Sequence, residues 1–334
     1  MSSHLYWEQF AEATIRKLVR PEPGDPLLIL ADDSTDVALA EACFAAGIRS
    51  GADTQLMYFK RVASGAASTP GPIMSNAILN ARLILSLALG TIRTPATLQA
   101  RANGTRVLNT VVTGIEGYVV RALLDVDYDA MIRNAERMAE MFEKTTVCRT
   151  TTAEGTDLTC EFAPRRALVG DGALSEDGEV DFYPGAQVSI APVEETINGT
   201  IVVDASDGVQ GIVNAPYAMI VENGVVTRLE GGKEANAMRV WMESRNDPDI
   251  YKVCHYSIGL NPQAGISGNL IEDERMLGSL DIGFGYQDPK FGGTVGSTSP
   301  FHQDIMIASP RVELDGVVLC EGNKLNPELG FEKM

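Results

Sequence analysis

Leu27-Leu28-Ile29-Leu30-Ala31, running directly into Asp32-Asp33-Ser34-Thr35-Asp36, is the stretch on which the fold turns. Five consecutive apolar residues without polar alternation have the pattern of a strand buried on both faces of a parallel sheet. Residues 35–46 then carry helical spacing closed by Gly47, and residues 54–59 read as a second strand. Strand, helix, strand within some thirty residues is a βαβ unit, which places the first half in the Rossmann-like α/β class. The turn after the first strand contains no glycine, whereas a dinucleotide pyrophosphate needs the close backbone approach of a Gly-x-Gly-x-x-Gly turn. The expected fold is therefore a parallel sheet with no dinucleotide motif.

Outward from that unit, Trp7, Phe10, Ala11, Thr14 and Leu18 mark an amphipathic helix, and residues 62–77, rich in Ala, Ser, Gly and Pro, read as a surface loop. Residues 81–89 and 105–112 supply further strands, and a helix over 129–144 closes an α/β domain of residues 1–146. The texture changes in residues 147–334. Leu158, Cys160 and Phe162 alternate with Asp157, Thr159 and Glu161. Asn223-Gly224 and Asp315-Gly316 each sit between two strand-like runs, the strongest short-range signal for a hairpin. A helix over 233–245 interrupts what is otherwise a β-rich domain.

The chain has 334 residues, 45% of them hydrophobic and 22% charged, which is the composition of a folded protein of about two domains. With 27 Lys and Arg against 45 Asp and Glu, its formal charge is −18. Such a surface repels phosphate backbones and anionic lipid, so neither nucleic acid nor membrane is an expected partner. The five cysteines are scattered, with no Cys-x-x-Cys pair. Together with the lack of a signal-like start or a spanning apolar run, this reads as a cytoplasmic protein.

Histidine is scarce: only His4, His255 and His302 occur. In Phe301-His302-Gln303-Asp304 an extended backbone turns His302 and Asp304 to one face, where imidazole and carboxylate can converge on an ion. His255 is then the third ligand, brought in by the fold. Two imidazoles and a carboxylate are the facial set of Fe(II) oxygen chemistry, and zinc hydrolases use the same set. Cys254, beside His255, reads as a small buried hydrophobe, because adjacent strand residues point to opposite faces.

Asn198-Gly-Thr-Ile201, His255-Tyr-Ser-Ile-Gly259, Glu272-Asp-Glu-Arg275, Gly292-Gly293, His302-x-Asp304 and the closing Asp315-Gly316 hairpin resemble the M29 metallo-aminopeptidase superfamily. The two-metal ligand set of those peptidases is not kept. A glutamate ligand of theirs is His255 here, another falls near Ala186 or Gln187, and a histidine falls on Asp281. Asn246-Asp-Pro-Asp-Ile-Tyr251 leading to His255, Gly259-Leu-x-Pro262 and His302-x-Asp304-Ile are similar instead to the 2,5-dihydroxypyridine 5,6-dioxygenases, a non-haem iron branch of the superfamily. That resemblance implies Fe(II) held by His255, His302 and Asp304, a small hydroxylated aromatic substrate, O2 as co-substrate and a homo-oligomer. Two histidines of those enzymes are replaced, by Arg93 and Phe182, and Arg93 is a candidate clamp for a substrate oxyanion. The expected activity is ring cleavage by a mononuclear Fe(II) dioxygenase. The alternative is a metal-dependent hydrolase of an amide, lactam or peptide, with Glu272, Glu274 or Asp281 as base.

Overall fold

The computed structural model describes residues 3–61, 70–88, 91, 94–110, 112, 114–295 and 299–334. The chain divides into two compact units, one of residues 1–127 and 171–185, the other of residues 128–170 and 186–334.

The first unit is built on five parallel strands in the order Asp53–Phe59, Pro26–Asp32, Leu83–Ser86, Arg106–Thr110 and Val180–Tyr183. Six of the seven residues of Pro26–Asp32 are buried, as the continuous apolar run requires of a strand covered on both faces. Helices Pro72–Asn80 and Pro95–Ala102 lay Met74, Ile78, Ala96 and Ala100 on Leu28, Leu30, Ile84 and Val107. Two expectations are corrected here. Gly47 does not end the second helix, which runs Val37–Arg49. It sits inside, against the next strand, where a Cβ would lie 2.6 Å from Thr54 Oγ1. The expected loop over 62–77 contains the start of helix Pro72–Asn80, opened by Pro72 in its first turn, and residues 62–69 lie outside the described ones.

The second unit holds two sheets whose pairings are all antiparallel. The eight-stranded sheet carries both expected hairpins. At their turns Asn223 and Gly224 have φ of 51° and 79°, and Asp315 and Gly316 have 48° and 83°, the pair of positive values that a two-residue hairpin turn demands. The seven-stranded sheet contains, as consecutive neighbours, Ser206–Asp207, His302–Ile307, Leu280–Gly285, Val253–Gly259 and Gln187–Ile190.

The boundary expected at residue 146 falls elsewhere for two physical reasons. Helix Tyr128–Lys144 belongs to the second unit, because its apolar face ends in Phe142. That ring packs on Phe162 and Tyr256 with centroids 5.0 and 6.3 Å apart. Strand Val180–Tyr183 returns to the first unit, where it pairs with Arg106–Thr110 and completes the parallel sheet.

Candidate metal centre

Three neighbouring strands of the seven-stranded sheet bring the predicted residues together. Antiparallel register sets His255 opposite Gly283, and Gly283 opposite Asp304, so one line across the sheet carries His255, a glycine and Asp304. His302 lies two residues before Asp304 on the same strand, and Asp281 two residues before Gly283, so the strand period of two puts all four side chains on one face. Gly283 leaves room for this arrangement. A Cβ there would stand 2.4 to 2.7 Å from Cε1, Nδ1 and Nε2 of His255, which means the imidazole lies directly over the bare backbone.

Both imidazoles converge on a single oxygen. Nε2 of His302 is 3.0 Å and Nε2 of His255 is 3.3 Å from Oδ1 of Asp304. That oxygen is buried and accepts no hydrogen bond, although two nitrogens stand beside it. Two ring nitrogens and a buried carboxylate oxygen this close together can share one ion. His302 is oriented from behind by a 2.8 Å contact in which Nδ1–H donates to the carbonyl oxygen of Tyr286, so that a metal displacing the Nε2 proton would find that lone pair facing the site. His255 is flanked by the ring of Phe291, 6.0 Å away and nearly parallel.

Asp281 contributes a second carboxylate. Its Oδ2 lies 3.0 Å from His255 Nε2 and accepts from Gln187 Nε2 at 2.9 Å, while its Oδ1 is buried without a hydrogen bond. Gln187 is one of the two positions, with Ala186, near which the peptidase resemblance expects a glutamate, and its amide donates to Asp281. Glu274 is paired with Arg275, whereas Glu272 accepts a bond from the Gly265 amide.

The electrostatics follow from crowding charges out of water. Burial raises the Asp304 carboxyl, but the positive imidazoles, His302 foremost, outweigh it and hold Asp304 well below the ordinary carboxylate range. Burial and the charge of Asp304 push Asp281 up. Burial opposes a charge on His255 and His302, yet Asp281 acting on the first and Asp304 on the second raise both well above a free imidazole. Glu274 is pushed up to about 8, chiefly by burial and against the pull of Arg275.

Ligand atoms of His255, Asp281 and Asp304 lie within 4.8 Å of one another, and His302 joins them through its 3.0 Å approach to Asp304 Oδ1; with orphaned buried oxygens on Asp304 and Asp281, these side chains make a donor set that fits a divalent first-row cation. Among the described residues a further donor group, Cys254 with His255 and His302, was not visible in the sequence. The alternation rule turned Cys254 away from His255. A bulge between Val253 and His255 breaks that rule and leaves Cys254 Sγ 3.9 Å from Nδ1 of His255 and 3.8 Å from Nδ1 of His302. Arg93 lies outside the described residues, and Phe182, the other position at which the resemblance expects a histidine, is about two-fifths exposed.

Comparison with known proteins bears on the same reading. A family model described as 2,5-dihydroxypyridine 5,6-dioxygenase matches residues 7–326. A curated 2,5-dihydroxypyridine 5,6-dioxygenase of Pseudomonas putida KT2440 is 28% identical over 184 residues, covering 52% of this chain and 53% of that protein, so the match spans about half of the relative's length. The solved structure of 2,5-dihydroxypyridine dioxygenase from the same strain superposes over 98% of both chains with a TM-score of 0.83 and 20% identity. Wild-type AmpT from Thermus thermophilus superposes over 97% of this chain and 100% of its own, with a TM-score of 0.68 and 16% identity. At those identities the two structures show a shared fold.

Proposed function

The chain belongs to the 2,5-dihydroxypyridine 5,6-dioxygenase family, and from that premise we propose that it is a mononuclear Fe(II) dioxygenase that opens the ring of a small hydroxylated N-heteroaromatic such as a dihydroxypyridine. His255, His302 and Asp304 are its metal ligands in this reading. The observation that carries it is the pair of imidazole nitrogens within 3.3 Å of one buried Asp304 oxygen that accepts no hydrogen bond.

When bound, Fe(II) supplies open positions for a chelating substrate and O2 and the redox capacity that zinc lacks. The remaining chemistry belongs to the chain. Tyr286 O fixes the His302 ring, and the bare backbone of Gly283 together with Phe291 fixes that of His255. Asp281 Oδ1, buried and accepting no hydrogen bond, is the atom on which this site can hold a proton taken from the substrate hydroxyl. Arg93 is the proposed partner of a substrate oxyanion, which Arg93→Ala tests through a raised KM.

The deciding experiment is metal analysis of anaerobically purified protein together with an oxygen-electrode assay on dihydroxypyridines and related phenols. One O2 consumed per ring opened, supported by Fe(II) and suppressed by Zn(II), is the expected result. Turnover of an amide or lactam with zinc and without oxygen overturns the proposal in favour of hydrolysis.

A further inference from the structure

Each imidazole of the centre has a second face, and the two second faces share a thiol. Cys254 Sγ lies 3.9 and 3.8 Å from Nδ1 of His255 and His302, and the three donor atoms fall within 4.8 Å of one another. In a tetrahedral zinc site, with Zn–S of about 2.3 Å and Zn–N of about 2.0 to 2.1 Å, sulfur and nitrogen stand about 3.5 Å apart. The observed separations are within a few tenths of an ångström of that value. Cys254 is a free thiol, 1% exposed, so no disulfide competes for it.

We infer that Cys254 Sγ with Nδ1 of His255 and His302 forms a second metal site, selective for thiophilic divalent cations such as Zn(II) or Cd(II), that excludes the Fe(II) proposed above. The selectivity follows from the thiolate, since the opposite face offers only nitrogen and carboxylate oxygen. The exclusion follows from the rings themselves. A neutral imidazole has one lone pair, on Nδ1 or on Nε2. A cation on the thiol side takes the Nδ1 lone pairs, so the ring protons move to Nε2 and the thiol proton leaves to solvent. His302 then gives up its Nδ1 contact with Tyr286 O, and neither Nε2 can serve Asp304's side. Binding at the thiol face needs only the three donors on the page, whereas the exclusion of iron rests on the ligand roles proposed above.

The probe is Cd(II), titrated into anaerobic protein while the ultraviolet thiolate-to-cadmium charge-transfer band is followed and bound iron is assayed in parallel. The inference expects one band-forming Cd(II) per chain, release of Fe(II) as the band grows, and a fall in Cd(II) affinity of roughly tenfold or more in Cys254→Ala. Cys254→Ser is measured as well, with circular dichroism on both variants, so that a failure to fold in one leaves the other to decide. No band in the wild type, or an undiminished band in a folded Cys254 variant, overturns the site. Band growth without loss of iron overturns the exclusion. Asp304→Ala separates the two readings, since it should lose Fe(II) and keep the cadmium band. If that variant keeps its iron, the ligand assignment fails while the cadmium band still judges the thiol site.

Discussion

At the residue scale the centre depends on shared contacts. Because both imidazoles lean on one oxygen of Asp304, removing any one of the three leaves the other two around a gap. His255→Ala, His302→Ala and Asp304→Ala are each expected to lose bound Fe(II) and activity with little change in secondary structure. Elemental analysis and circular dichroism check this, and full metal retention by any variant removes that residue from the ligand set. A second residue-scale prediction concerns Asp181 in the first unit. Its carboxylate accepts from the amides of Gly172 and Phe182, yet burial, reinforced by Asp171, raises it from an ordinary 3.8 to about 7. A carboxyl raised on folding contributes stability that is complete below about pH 4 and is lost as pH rises through about 7. The melting temperature of Asp181→Asn relative to wild type is therefore expected to climb between pH 4 and 7 and then level. A difference that stays flat across that window contradicts the assignment.

At the scale of elements, the site is a register effect. Gly283→Ala keeps every ligand but places a methyl where the His255 ring lies, at 2.4 to 2.7 Å, and the centre strand of a sheet gives little. The expected outcome is a loss of Fe(II) affinity of roughly 10- to 100-fold, as for other residues that orient a ligand, with the β-sheet signature intact. Unchanged iron binding would show that the ring has room to move. The same register explains what the sequence could reveal. His302 and Asp304 were legible because their spacing alone sets them on one face, and His255 because so few histidines compete. Asp281 entered as one of three candidate bases and as the position of a replaced peptidase histidine, but not as a neighbour of His255, since that placement depends on how two strands 26 residues apart align. Cys254 is buried as expected, but its approach to both imidazoles was not legible, because a bulge carries no local sequence signature. Both hairpins were legible, as Asn-Gly and Asp-Gly supply the positive φ values within the turn itself. The helix over 128–144 was legible as a helix but not in its allegiance, which rests on the packing of Phe142 against rings far along the chain.

For the whole molecule, a formal charge of −18 disfavours association with polyanions. Among the described residues no helix is long and apolar enough to cross a membrane. The chain passes from the first unit to the second, back for residues 171–185, and out again. Residues 1–127 alone lack Val180–Tyr183 and leave Arg106–Thr110 as an unpaired edge. That fragment is expected to aggregate when expressed, and residues 171–185 fused to it through a flexible linker are expected to restore solubility, as measured by size-exclusion recovery. Equal behaviour of the two would show that the returning strand is dispensable.

That returning strand also sets a clock on synthesis. A ribosome delivers Arg106–Thr110 about 70 residues before its partner Val180–Tyr183, an interval of roughly 4 to 14 s at about 5 to 20 residues per second. Throughout that interval Arg106–Thr110 is expected to lack the neighbour that covers its far edge in the folded protein. The waiting time is written into the order of the gene, so crowding, heat or a slow codon between those points strikes this protein when it is most exposed, and a chaperone that shields nascent edges has a defined window in which to act.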